Sequence, residues 1–135
     1  MALGSFELDI ARFVEKAKGN IDLVVRKISL DLFSRVIEKS PVLTGRFRAN
    51  WQVAIGSIPE GTLDLTDPSG AATISRVQAV TLGLKAGDIV TLVNNLPYAR
   101  PLEYGHSKQA PAGMVRLSVS EYPQVVTQAA SEVPK

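Results

Sequence analysis

The sequence predicts an α+β fold: N-terminal helices and a C-terminal helix packed on a small antiparallel sheet. Three observations predict it. Apolar residues recur at helical spacing from Phe6 to Lys39 and again from Val115 to Val133. A period of two runs from Phe47 to Ile55, and the β-branched apolar run Ile89-Val90-Thr91-Leu92-Val93 offers that strand a partner. The 135 residues are about one domain's length. With 45% hydrophobic and 21% charged residues, the chain has ordinary globular composition, which excludes disordered, collagen-like and low-complexity architectures.

In chain order, Ile10, Phe13, Val14 and Ala17 begin the first helical stripe, and Ile21, Val24, Val25, Ile28 and Leu32 continue it. Gly19-Asn20 predicts a kink or break within it, and Ser40-Pro41 its end, because the residue before proline is pushed out of the α region. After the turn signal Thr44-Gly45, Phe47, Ala49, Trp51, Val53 and Ile55 alternate with Arg48, Asn50, Gln52 and Ala54, as in a strand with one buried face. Gly56 to Gly70 holds two prolines, three glycines and the acids Glu60, Asp64 and Asp67, so it reads as a long solvated loop or an arm at about 56–70 within the single domain 1–135. A helix is expected over Ala71–Lys85, closed by Gly87, and a second strand over Asp88–Asn94, covered on both faces or paired with the first. Asn94-Asn95-Leu96-Pro97 turns the chain, Tyr98–Tyr104 makes a short helical turn ending at Gly105, and His106–Ala110 is loop or edge strand. The last helix is expected from Pro111, with a kink or a division into two helices at Pro123, which removes a hydrogen bond to Val119.

Composition leaves little room for catalysis. There is no cysteine, hence no disulfide, thiol nucleophile or thiolate metal site, and the one histidine, His106, reads as an exposed loop residue without a nucleophile elbow nearby. No P-loop, GxGxxG, HExxH or EF-hand spacing occurs, and the clustered acids read as a solvated loop rather than an acid-base pair. The chain is therefore expected not to be an enzyme and to need no cofactor or metal. No apolar run approaches the roughly 20 residues that span a bilayer, and the first residues lack the basic-then-apolar order of a secretory signal. A soluble protein made in the cytoplasm, with no membrane partner, is the expectation.

The net charge of +2 hides an uneven distribution. Arg26 to Arg48 holds six basic and two acidic residues, whereas Trp51 to Pro97 holds two basic and four acidic. Arg46 and Arg48 flank Phe47 and, on a strand, share the face opposite it. Three readings stand: a solvated strand edge that discourages pairing, salt bridges at a protein interface, or nucleic-acid contact. A neighbouring copy's acidic loop supplies carboxylate partners for the interface reading. Trp51 reads as a core anchor, and Tyr98 and Tyr104 either close their turn onto the sheet or sit at a subunit contact.

Three segments form a set: Ser40-Pro41-Val42-Leu43-Thr44-Gly45-Arg46-Phe47-Arg48-Ala49-Asn50-Trp51, then Asn95 to Gly105 with Tyr98-Ala99 and Leu102-Glu103-Tyr104-Gly105, then Ala110-Pro111-Ala112-Gly113-Met114-Val115-Arg116. The set resembles the neck and tail-completion proteins of long-tailed bacteriophages, the lambdoid tail-component family to which the lambda minor tail protein Z is similar. Members of that family carry a serine- or threonine-proline, a TGR-L/F-R step into a strand with a tryptophan, a YA…LEYG segment and an AP-x-x-M/F-x-R entry into the last helix. All four occur here in order, within a likeness reaching from about Phe6 to Glu132. Many members have an aspartate where this chain has Leu43, so no carboxylate role carries over to that position.

The resemblance implies a structural virion protein at the head-tail junction, acting in tail completion and head-tail joining. It implies several copies, a hexamer by expectation, in a ring around the DNA channel, touching neighbouring neck and tail proteins. Genomic DNA would pass through without sequence-specific contact, since phosphate contacts carry no base information. The inter-subunit contact candidates are Arg46, Arg48, Glu60, Asp64, Asp67, Tyr98, Arg100 and Tyr104. The rival reading is a small nucleic-acid-binding module using the basic Arg26–Arg48 region.

Overall fold

The computed structural model describes residues 21–132, so the expected helix before Gly19, the Gly19-Asn20 break and Val133 lie outside the described residues. Helix α1 (Ile21–Glu38) buries Val24, Ser29, Val36 and Ile37, with Leu30 and Phe33 packed against the core. Of the predicted stripe, Val24 is buried, Val25, Ile28 and Leu32 are half-buried and Ile21 is exposed, so the helix turns a different face to the core. It stops where expected: the Ser40 hydroxyl donates back to the Val36 carbonyl at 2.9 Å, and Pro41 follows.

The next segment departs from the expectation of a strand starting at Phe47. Arg46–Ala49 is a single helical turn, α2, and strand β1 covers only Trp51–Ile55. The Thr44 hydroxyl accepts the Arg46 amide at 3.2 Å, and the Asn50 side chain donates to the Arg46 carbonyl at 2.8 Å, closing the turn. The alternation fails at Asn50. Assigned to the solvent face, it is completely buried, because its amide is fully engaged with backbone: it also donates to the Leu63 carbonyl at 3.0 Å and accepts the Leu63 amide at 2.7 Å. Gly45, at φ 91°, fits so closely under the loop that a Cβ there would lie 2.5 Å from the Pro68 nitrogen, so the turn before α2 requires glycine.

The segment from Gly56 to Gly70 has no regular secondary structure, as expected of a loop, but side chains of the fold fasten it along its length. Gln52 donates to the Gly61 carbonyl, Asn95 to the Pro59 and Gly61 carbonyls, Asn50 holds Leu63, and the Asp67 amide reaches the Gly45 carbonyl. Helix α3 (Ala71–Thr81) follows and ends four residues before the expected Lys85. There the chain tightens through Gly83 to Val80 and Leu84 to Thr81 hydrogen bonds, turning Leu84 into the core, where Arg26 takes its carbonyl at 2.7 Å.

Strand β2 (Val90–Asn94) pairs antiparallel with β1 in the register Trp51 with Asn94 through Ile55 with Val90. Among the described residues the sheet has two strands, each only partly covered beyond Trp51, so β2 is β1's partner rather than a strand buried on both faces. Helix α4 (Ala99–Glu103) ends at Gly105 as the sequence predicts. The last helix starts later than Pro111 and is divided, into α5 (Val115–Ser120) and α6 (Tyr122–Glu132). Pro123 lies in the first turn of α6, where its missing N–H is not needed, and this places the break at Glu121.

Helix α1 packs on α3, α5 and α6, while α3 also covers β1 and α2. The core they enclose joins Val36, Ile37, Phe47, Trp51, Val77, Leu96, Ala110 and Met114. Trp51 is the anchor expected of it. Its indole N–H donates to the Ser40 hydroxyl at 2.7 Å and its ring meets Phe47 edge to face at 5.8 Å.

Asn50→Ala removes three hydrogen bonds and strands two partly buried backbone groups of Leu63. Its expected cost is about 2 kcal/mol or more, read from a urea midpoint; a loss below about 0.5 kcal/mol would contradict this account of the turn.

Candidate functional site

The eight contact candidates divide into two inward-directed side chains and six outward ones. Arg48 and Asp67 are the inward pair, and both correct the solvated placement that a strand edge and an acidic loop imply. With α2 helical, Arg48 does not share a solvent face with Arg46. Its guanidinium donates to the Pro68 carbonyl at 2.7 Å, the Glu38 carbonyl at 2.9 Å and the Ser40 carbonyl at 2.8 Å. Two of those carbonyls belong to the end of α1, where backbone acceptors are left over and a cation is favoured.

Asp67 is buried beneath the start of α3. Its carboxylate accepts the Thr73 hydroxyl at 2.7 Å, the Thr73 amide at 2.8 Å and the Gly70 amide at 3.2 Å, so it caps the helix. Burial alone raises its pKa, yet the bonds from Thr73, Gly70 and Ser69 outweigh that and hold the carboxyl below its ordinary range.

The outward six are Arg46, Glu60, Asp64, Tyr98, Arg100 and Tyr104, all exposed. Arg46 and Tyr98 come together at a groove lined also by Leu43, Phe47 and Leu102. Tyr98 closes its turn inward against Phe47, with ring centroids 5.9 Å apart, while remaining 40% exposed. Tyr104 lies under Arg116, whose guanidinium carbon is 4.9 Å from the ring centroid. Glu60 and Asp64 make no ion pair among the described residues, and neither do Arg46 and Arg100.

The basic stretch Arg26–Arg48 is largely engaged within the chain. Arg26 holds the Leu84 carbonyl, Lys27 pairs with Glu132, Arg35 with Asp31 and Glu121, and Lys39 with Glu121 at 2.6 Å. With Arg48 on its three carbonyls, Arg46 alone of the six has no side-chain hydrogen bond or ion pair among the described residues.

Sequence reasoning missed a second junction. The Glu103 carboxylate accepts the Met114, Val115 and Arg116 amides at 3.0, 2.8 and 3.0 Å and the Arg116 Nε at 3.1 Å, while Arg116 also bonds the Glu103 carbonyl. A signal was present. The residue before α5 is Met114, which has no capping oxygen, so the helix needs a cap from elsewhere, and Glu103 is the last acid before it. Desolvation raises the Glu103 pKa, but the Arg116, Val115 and Met114 amides and the Arg116 side chain more than offset this and hold it low.

His106 lies exposed in the loop between α4 and α5. Among the described residues no group of three His, Asp or Glu side chains is placed to hold a metal ion, and no helix is long and apolar enough to cross a membrane. No protein-family model, curated protein or solved structure matches the chain.

Arg48→Lys keeps the charge but not the planar fork that reaches three carbonyls, with an expected cost of about 2 kcal/mol by chemical denaturation. Asp67 and Glu103 make stability pH-dependent. Both folded values are lowered, so their contribution is complete above about pH 5 and is lost as pH falls through those lowered values. Glu103→Gln should cost about 1–2 kcal/mol at pH 7 and progressively less in acid, giving a flatter acid limb in denaturation curves from pH 7 to pH 2; a parallel limb would contradict it.

Proposed function

We propose that the chain is a structural virion protein of the neck of a long-tailed bacteriophage, one of several copies forming a ring at the head-tail junction. It acts in tail completion and head-tail joining by shape and contact, without chemistry of its own. The observation that carries this reading is the set of four motifs in family order along the chain: Ser40-Pro41, Thr44 to Arg48 leading to Trp51, Tyr98-Ala99 with Leu102 to Gly105, and Ala110 to Arg116. The roles of those residues support it. Ser40 bonds Trp51, Arg48 ties α1 to the loop before α3, and Glu103 caps α5, the helix that carries Arg116. They hold a shape, which is what a ring subunit supplies.

The nucleic-acid alternative draws less support. A phosphate-binding face needs several cations free to displace counterions. The basic stretch offers Arg46, its other cations being engaged with carboxylates and carbonyls of the same chain. Genomic DNA is accordingly a passenger of the channel in this proposal.

Arg46→Glu changes an exposed residue and should leave folding stability within about 0.5 kcal/mol. In a phage whose own copy is replaced by this variant, joined particles seen by electron microscopy should fall in favour of separate heads and tails. Unchanged particle yield would remove Arg46 from the interface. Binding of the free protein to duplex DNA with a steep negative salt slope would instead favour the alternative.

A further inference from the structure

We infer that the groove beside α2 is the socket for the Ile58–Leu65 loop of a second copy of this chain. This rests on the proposed assembly role and gives it a specific, directional contact.

The groove, of about 280 Å³, runs between the Pro41–Gly45 segment and the α4 region, with Phe47 and Leu102 among its lining residues. Leu43 stands on its wall 98% exposed. That leucine is not on a loose loop. The Gln109 side-chain amide donates to the Val42 carbonyl at 3.0 Å and accepts the Val42 amide at 2.9 Å, so the residue before Leu43 is gripped as if by a neighbouring strand. An apolar side chain held out in water by a fixed backbone is a preorganised contact, with little ordering left for binding to do. Arg46 lines the groove, Arg100 falls between the lining residues Tyr98 and Leu102 in the chain and Lys108 between Ser107 and Gln109, and none of the three has an ion-pair partner among the described residues.

The loop carries the complementary pattern. Ile58 and Leu65 are 69% and 49% exposed, and Glu60 and Asp64 between them are acids with no ion pair among the described residues. Its backbone is held by Gln52, Asn95 and Asn50. None of its residues lines the groove of its own chain. An apolar and acidic loop that does not line the groove of its own chain fits the groove of a neighbour, where Arg46 is the lining cation. The contact joins two different surfaces, the heterologous kind that closes into a ring when the rotation per copy allows. Ile58 is the anchor beside Leu43 and Tyr98, and Glu60 and Asp64 meet the cations.

Because the chain has no cysteine, single-cysteine variants report the contact directly. Ile58→Cys mixed with Leu43→Cys should give a 58–43 disulfide dimer in preference to 58–58 or 43–43, and Ile58→Cys mixed with Leu82→Cys should not. In sedimentation equilibrium, Arg46→Glu with Arg100→Glu should weaken self-association by roughly tenfold or more, and Glu60→Arg with Asp64→Arg on the partner copy should restore it. All these positions are exposed, and circular dichroism checks that each variant is folded. Self-association that ignores the reversals, or a predominance of like-with-like disulfides, overturns the socket while leaving assembly standing. A full chain that stays monomeric up to millimolar concentration overturns both.

Discussion

The guanidinium of Arg48 is the fixed point on which the arrangement of this protein turns. It joins the carbonyls of Glu38 and Ser40, which end α1, to the carbonyl of Pro68, which leads into α3. A helix terminus leaves carbonyls without partners, and a planar donor fork satisfies several at once where an ammonium would act as a point charge. The geometry has a cost: the Arg48 Nε is buried with no acceptor among the described residues. Three charge-assisted bonds outweigh one unmet donor, and they dictate the rest. With α1 and the Pro68 turn drawn to one residue, Gly45 must pass under Pro68 without a Cβ, and Phe47, on the other side of α2, is pressed between Trp51 and Tyr98.

The elements governed by local chemistry were legible in the sequence. Ser40-Pro41 ended α1, Gly105 ended α4, and Pro123 divided the last helix, because each acts on its own few residues. What escaped was set by partners far along the chain. Period two over Phe47–Ile55 is a property of side-chain polarity, and it broke where Asn50 found the Leu63 backbone 13 residues away. The start of α5 moved from Pro111 to Val115 because its cap is Glu103, not a neighbour. The same holds for the candidate site. Arg48 and Asp67 read as surface charges only while their acceptors and donors on other segments are unknown, whereas Arg46, Glu60, Asp64 and Arg100 lie at the surface as the loop and turn composition implies.

Several residues of the three motif segments therefore act inside the fold. Ser40 and Trp51 share a buried hydrogen bond, Thr44 and Gly45 shape the turn before α2, and Glu103 and Arg116 lock α4 to α5. In these segments backbone groups that need partners find them on side chains of the same chain, as at Glu103 and Arg48. Holding the outline is a sufficient physical reason for such residues, while Leu43, Arg46 and Tyr98 of the same segments stay exposed at the groove.

The charge pattern follows the same logic. Internal pairing removes most of the basic stretch from view, Lys27, Arg35 and Lys39 to carboxylates and Arg26 and Arg48 to carbonyls. The charge that matters to another molecule is what remains after that pairing; among the described residues it includes Arg46 on the wall of the apolar groove and Glu60 and Asp64 on the fastened loop, besides the exposed Glu38, Lys85, Asp88, Arg100 and Lys108. Exposed pairs add little to the stability of one chain. Across a boundary between chains, sorted charge sets direction instead, since like surfaces repel and unlike ones dock. A nearly neutral total of +2 is compatible with a strongly directional subunit, because direction depends on separation of charge and not on its sum.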